Sequence, residues 1–187
     1  QKAEQALIKR AQSQVVIGKN SAFYPESLVQ NLKNDKNNIV VGSNTHIRGE
    51  LTVYPYSKNL LIGDNCYLGQ GSIIRAGESI TIGNNVLIAH NVTIIDSDSH
   101  EINASERAES YVQMLKFGHP KTKGNVKTSP IIIEDNVWIS YNVCILKGVK
   151  IGNGAIIAAG SVVTKDVLPF SLYAGNPAQF IKTIKND

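Results

Sequence analysis

Residues 131–163, IIIEDNVWISYNVCILKGVKIGNGAIIAAGSVV, repeat themselves every six positions. Ile133, Ile139, Ile145, Ile151, Ile157 and Val163 keep one unbroken phase. Three positions after the first five of them stand Asn136, Asn142, Gly148, Gly154 and Gly160. Asn and Gly tolerate positive φ, so these positions read as sharp corners. Val137, Val143, Val149 and Ala155 follow directly. Each hexad is thus a short strand that alternates in, out, in, as in Val137-Trp138-Ile139, and then turns. β-branched residues suit such strands.

The same phase runs upstream through Val41, Ile47, Val53, then Ile62, Leu68, Ile74, then Ile82, Ile88, Ile94. Its corners fall at Asn44, Asn65, Gly71, Gly77, Asn85 and Asn91. Three hexads close one triangular coil of about 18 residues, and stacked coils make a solenoid. About five coils follow: 41–61, 62–81, 82–99, 133–150 and 151–168. The first two carry small insertions, around Tyr56-Ser57-Lys58 and Glu78-Ser79. A partial coil opens at Ile17-Gly18-Lys19-Asn20.

Length and composition agree. The 187 residues are 42% hydrophobic, 18% charged and only 6% aromatic, which argues against disorder and against a helical bundle. No apolar run reaches the ~20 residues of a membrane helix. The N-terminus shows no secretory h-region; because residue 1 is Gln rather than Met, a removed leader stays open. A net charge of +4 without any Lys/Arg run does not point to nucleic acid. Cys66 and Cys144 make neither a disulfide framework nor a metal site, so a cytoplasmic location is the default.

The expected organisation is a helical segment over 1–16, a β-helix domain over 17–168 and a capping segment over 169–187. Ala3, Leu7, Ile8 and Ala11 stand at helical spacing. Past Pro169 and Pro177, residues 179–184 are expected to form a short helix that covers the open end of the coil.

Between Ile94 and Ile133 the phase is lost. Residues 100–130 read as one long loop, functional or disordered, and its Tyr111, Met114, Leu115 and Phe117 imply that it packs on something. His100 stands six residues after Ile94, where the next inward aliphatic residue is due. A polar residue there either has another job or leaves the coil. Asp96, Asp98 and Glu101 flank it; Asp98 is the candidate to orient the imidazole, and Asp96 to bind an acceptor.

The run NVTIID-x-D-x-H, then a long loop, then KT-x-P-III-x-DNVWI, resembles the hexapeptide-repeat acyltransferase family. Within it the chain looks like the sugar O-acetyltransferases of the maltose and galactoside group and of surface polysaccharides. AAGSVVTKDV and AGNPAQFIK extend the likeness to roughly residues 39–182. The resemblance implies an all-β fold, a left-handed parallel β-helix with the long loop extruded after the third coil. It implies acetyl-CoA as co-substrate, a saccharide or nucleotide-sugar acceptor, no required metal, and His100 as general base. It also implies a homotrimer with intersubunit sites, which the outward residues Leu87 and Trp138 suit.

For the coenzyme, the resemblance points to Tyr141, Ala159, Gly160, Thr164, Lys165 and Lys182. Tyr141 stands where similar enzymes often carry Ser. Trp138 points outward and joins this set as a residue that packs on the loop, a neighbour or the ligand. On the acceptor side the family's Asn and acidic residue fall on Gly71 and Ala76, a departure from the maltose and galactoside pattern. Gln70, Arg75 and Tyr67 are the polar residues nearby.

Other readings remain open. An N-acetyltransferase acting on an amino sugar would use the same base. A structural β-helix would need no catalytic loop. A metal-dependent carbonic anhydrase needs repeat-matched His pairs, whereas His90 and His100 are ten apart. His119 lies in the loop, and His46 reads as a surface residue.

Overall fold

The computed structural model describes residues 1–185. Its short strands stack into three parallel sheets. The first runs Val16–Ile17, Ile39–Val41, Asn59–Ile62, Ser79–Ile82, Ile131–Ile133, Lys150–Ile151. The second runs Ala22–Phe23, His46–Ile47, Tyr67–Leu68, Leu87–Ile88, Trp138–Ile139, Ile156–Ile157, and continues into a C-terminal hairpin. The third runs Leu28–Asn31, Glu50–Val53, Ile73–Ala76, Thr93–Ile95, Cys144–Ile145, Val162–Val163. The chain visits the three sheets in turn, which is the path of a parallel β-helix.

The six-residue phase becomes columns of stacked side chains. Ile82 is in register with Ile133, Ile88 with Ile139, and Ile94 with Ile145. All six are buried, at 3% exposure or less. Burial of each such side chain is worth about 1.5–3 kcal/mol, so the column stabilises the coil at every level. The outward residues between them stay open: Leu87 is 46% and Trp138 45% exposed.

The first corner explains its own sequence. Asn20, Asn44, Asn65, Asn85 and Asn136 all adopt φ between +53° and +61°. Their side-chain amides donate one to the next, and Asn136 donates onward to Asn153, at 3.0–3.3 Å. A residue chosen for backbone freedom also supplies a hydrogen-bond ladder along the axis.

Helix α1, Lys2–Gln12, packs Ala11 against the top of the core as the helical spacing predicts. The C-terminal expectation is corrected: 178–183 are a strand, not a helix. Ser171–Gly175 pairs parallel with Ile156–Ile157, and Ala178–Thr183 returns antiparallel beside it. Ser171–Gly175 satisfies the unpaired edge of the last coil, and its own outer edge offers N–H and C=O groups that a returning strand satisfies where a six-residue helix does not. Residues 186–187 of the expected capping segment lie outside the described residues.

The insertion is not one featureless loop. Helix α2, Ala104–Phe117, forms inside it. The Asn103 side chain caps it by accepting from the Ser105 and Glu106 N–H groups at 2.9 and 3.1 Å. Gly118, with φ +79°, ends it. Asn103 followed three residues later by Glu106 is a capping signal that the sequence reading passed over. The ends of the insertion are tied together: the Asp98 N–H donates to Lys127 O at 2.9 Å and the Ser129 N–H to Asp96 O at 2.9 Å.

Candidate active site

The insertion folds back beside the corner between the third and first sheets and encloses a cleft of about 1110 Å³. Tyr54, Tyr56 and Arg75 line it from the coil, His100 and Glu101 from the start of the insertion, and Met114, Phe117 and His119 from α2 and beyond. His100 is exposed on this cleft. Its own N–H donates to Asp98 O at 2.7 Å across Ser99, whose φ is +64°. A three-residue turn of that hand is uncommon outside glycine and swings the chain sharply out of the coil.

Two expectations for the carboxylates are corrected. Asp98 does not hold the imidazole: its Oδ1 pairs with Lys147 Nζ at 2.5 Å. Among the described residues the His100 ring has no hydrogen-bond partner, so it is free to meet a ligand. Asp96 does not face an acceptor either. It is fully buried, and its carboxylate accepts the N–H groups of Gly77 at 2.5 Å and Glu78 at 2.9 Å. It braces the neighbouring corner. Burial pushes its carboxyl above the ordinary range, and those N–H donors pull against that shift.

Of the other acceptor candidates, Arg75 lines the cleft, with its guanidinium held by Glu50 at 2.8 and 3.3 Å. Gln70 does not. It stands exposed at the corner between the second and third sheets, where its carbonyl accepts from the Asn91 N–H.

The coenzyme candidates gather elsewhere. Tyr141, Ala159 and Gly160 stack at that same second-to-third corner, the Gly160 N–H donating to Tyr141 O at 3.0 Å. Gly160, with φ +70°, would meet nothing within 4 Å if it carried a Cβ, so its backbone stands open. One two-residue strand, Val162–Val163, leads from there to exposed Thr164 and Lys165. Trp138 faces out of the second sheet, and Lys182 is exposed on the hairpin opposite Leu172. None of these seven residues lines the cleft that holds His100.

Three residues of this region escaped the sequence reading. Tyr54 and Tyr56 lie in a corner insertion that the repeat does not require. Lys147 is marked by no motif or spacing in the sequence. Burial raises both Cys66 and Cys144 above the ordinary thiol range, so neither is an activated nucleophile. Among the described residues no group of three His, Cys, Asp or Glu side chains could hold a metal ion.

Known proteins resemble this chain. Residues 130–165 match the family model of the bacterial transferase hexapeptide (six repeats), and 60–95 that of the hexapeptide repeat of succinyl-transferase. The chain is 48% identical over 73 residues to a protein of Staphylococcus aureus (strain COL) named as an acetyltransferase. That alignment covers 39% of this chain and 36% of the relative, so the chain spans about a third of the length of that curated relative.

Whole-chain likeness comes from solved structures. A hexapeptide-repeat acetyltransferase of Vibrio cholerae O1 biovar eltor, solved with acetyl coenzyme A, aligns at TM-score 0.63 and 25% identity over 99% of this chain and 82% of its own. A maltose O-acetyltransferase of Clostridium difficile 630 aligns at 0.57 and 28% over 95% and 74%. A variant of AntD, an N-acyltransferase of Bacillus cereus bound to dTDP-4-amino-4,6-dideoxyglucose and coenzyme A, aligns at 0.74 and 20% over 95% and 89%, a likeness of fold. The chain is a hexapeptide-repeat β-helix. Its resemblance to the hexapeptide-repeat acyltransferases is plain in both sequence and architecture.

Proposed function

We propose that the protein is an acetyl-CoA-dependent O-acetyltransferase that acylates a saccharide hydroxyl by direct transfer, with His100 as general base. The observation that carries this is the placement of His100: an imidazole with no hydrogen-bond partner among the described residues, at the wall of a cleft of about 1110 Å³ where the repeat opens. The acceptor hydroxyl, whose own pKa lies far above neutrality, gives its proton to the imidazole as its oxygen attacks the thioester carbonyl. The carbon–sulfur bond breaks, coenzyme A leaves as thiolate and takes the proton, and the products are the ester and free thiol. A base near neutral pKa typically contributes ~10²–10⁴-fold to such a step.

Acetyl coenzyme A would run along Tyr141, Ala159 and Gly160, with Thr164, Lys165 and Lys182 toward its phosphates. Since none of these lines the His100 cleft, a complete site needs a second copy of the chain. Exposed Leu87, Trp138 and Tyr141, with Leu115 and Phe117 on the insertion, are the surfaces such a copy would cover. The reading is a homotrimer of left-handed coils with sites between protomers. Work on surface polysaccharide or lipopolysaccharide in the cytoplasm fits this chemistry. No helix of the described residues is long and apolar enough to cross a membrane.

N-acyl transfer to an amino sugar is the second reading. The fold likeness to AntD supports it, and the likeness to the maltose O-acetyltransferase supports the first. A screen of glycosides, amino sugars and nucleotide sugars with acetyl-CoA, followed by thiol release and mass of the product, decides between them. His100→Ala should lose at least about 100-fold in turnover while keeping its affinity for acetyl-CoA. Full activity in that variant would overturn the assignment.

A further inference from the structure

The cleft holds an aromatic pair that the transfer chemistry does not use. Tyr54 and Tyr56 stack with ring centroids 5.7 Å apart and planes 7° from parallel. His119, from the far end of the insertion, meets Tyr54 edge-on at 5.3 Å and 64°. All three line the same cleft as His100. The tyrosines occupy a corner, Tyr54-Pro55-Tyr56-Ser57-Lys58, that is longer than the repeat needs. Its backbone is tied to the next coil, with the Tyr54 N–H bonded to Ala76 O at 3.1 Å and the Lys58 N–H to Glu78 O at 2.6 Å. The rings therefore stand on rigid scaffold, not on a free loop.

Polar residues line the same cleft, Ser97, Ser99 and Glu101 among them. Arg75 lines the cleft beside them, and Glu50 takes only part of its donor set. Among the described residues neither phenol oxygen has a hydrogen-bond partner. Partial burial, with Tyr54, Asp96 and Glu101 nearby, pushes the Tyr56 phenol up to about 12, so it remains a neutral donor at any working pH. Flat apolar faces are thus set beside a polar rim that includes the donors Arg75 and the Tyr56 phenol.

That combination fits one ligand shape best. A pyranose ring has an apolar face of C–H bonds and an equatorial rim of hydroxyls. Its face can lie on a tyrosine ring while its rim meets the guanidinium and the phenol hydroxyls. A planar aromatic ligand would use the faces and leave the rim donors unmatched, which carries a desolvation cost. Such sites are generally apolar and aromatic with a few placed polar groups.

We propose that the Tyr54–Tyr56 pair is the acceptor platform, stacking the apolar face of a pyranose ring so that one ring hydroxyl is presented to His100. His119 buttresses Tyr54 from the insertion, and Arg75 reads the hydroxyl rim. The proposal rests on the acyltransferase reading and adds to it the residues that would recognise the sugar.

The test uses the full chain with methyl α-D-glucopyranoside, methyl β-D-galactopyranoside and methyl α-D-mannopyranoside as probes. Saturation-transfer NMR should show transfer to the C–H protons of one ring face of at least one probe. Tyr56→Leu keeps apolar volume but removes the ring; it should weaken that probe about tenfold, which corresponds to about 1.4 kcal/mol. Tyr56→Phe keeps the ring and should retain the face-selective signal. Both variants should unfold cooperatively and match the wild type in acetyl-CoA affinity by calorimetry. Acetyl-CoA binding with no transfer to any probe, or with transfer unchanged in Tyr56→Leu, would overturn the platform alone. Absence of acetyl-CoA binding in the wild type would overturn the acyltransferase reading beneath it.

Discussion

Lys147 Nζ lies 2.5 Å from Asp98 Oδ1, and that pair ties the segment leading to His100 to the coil that follows the insertion. The two residues are 49 positions apart in sequence. Asp98 is held at its side chain by Lys147, at its N–H by Lys127 O, and at its carbonyl by the His100 N–H. Both side chains are about one-third exposed, so the pair adds little to global stability. Its weight falls on position. Lys147→Met should lower kcat roughly three- to tenfold and leave the acetyl-CoA KM unchanged, because the base is misplaced rather than removed. Lys147→Arg should recover most of the loss. An equal change in stability and in both kinetic constants would mean a structural role alone.

The corner ladder separates two contributions. Asn85 has φ +56°, accepts an amide hydrogen bond from Asn65 and donates one to Asn136. Asn85→Gly keeps the backbone freedom and loses the ladder; Asn85→Ala loses both. The alanine variant should therefore be less stable than the glycine variant by about 1 kcal/mol, read from denaturant midpoints. Equal stabilities would show that the ladder carries the whole effect.

Neither cysteine should take part in transfer. Burial raises both thiols, so thiolate is scarce near neutrality and forms only as pH climbs past the ordinary thiol range. Alkylation by iodoacetamide should be slow at about pH 7.5 and accelerate only once the pH has passed the ordinary thiol range. Cys144→Ser should retain wild-type kcat. Loss of activity in Cys144→Ser would revive a covalent acyl-enzyme.

Assembly is open to direct measurement. Light scattering should give three times the 20.3 kDa chain mass. Trp138→Glu would place a charge on an outward position that is 45% exposed in one chain, and it should shift the species toward monomer with loss of turnover. A wild-type monomer at working concentration would refute the shared site.

The solenoid was legible because its signal is local and repeated. Each hexad states its own strand and corner, so Ile133 to Val163 defines the phase and Asn136 the turn. The N-terminal helix was legible for the same reason, from Leu7 and Ala11. The C-terminal segment was not: Phe180 and Ile181 form no clear period, and what makes their segment a strand is the edge of Ser171–Gly175, which is itself placed by pairing with Ile156–Ile157 in the last coil. Helix α2 carried a readable cap at Asn103, but with no buried face its apolar residues held no usable period.

The site divides in the same way. His100 announced itself in one dimension, as a polar residue at an aliphatic position where the repeat breaks. The fates of Asp96 and Asp98 could not be read there. Two acids two positions apart look alike in a sequence; one meets the Gly77 and Glu78 backbone and the other meets Lys147, because coil stacking brings segments distant in sequence beside the same turn.

Sequence alone determined the coil, its corners and the lone imidazole, since those depend on neighbours three to six residues away. Only the tertiary structure decided which charges pair and that Tyr54, Tyr56 and His119 share a cleft with His100. Contacts across coils join residues tens of positions apart, and a six-residue period is blind to that distance.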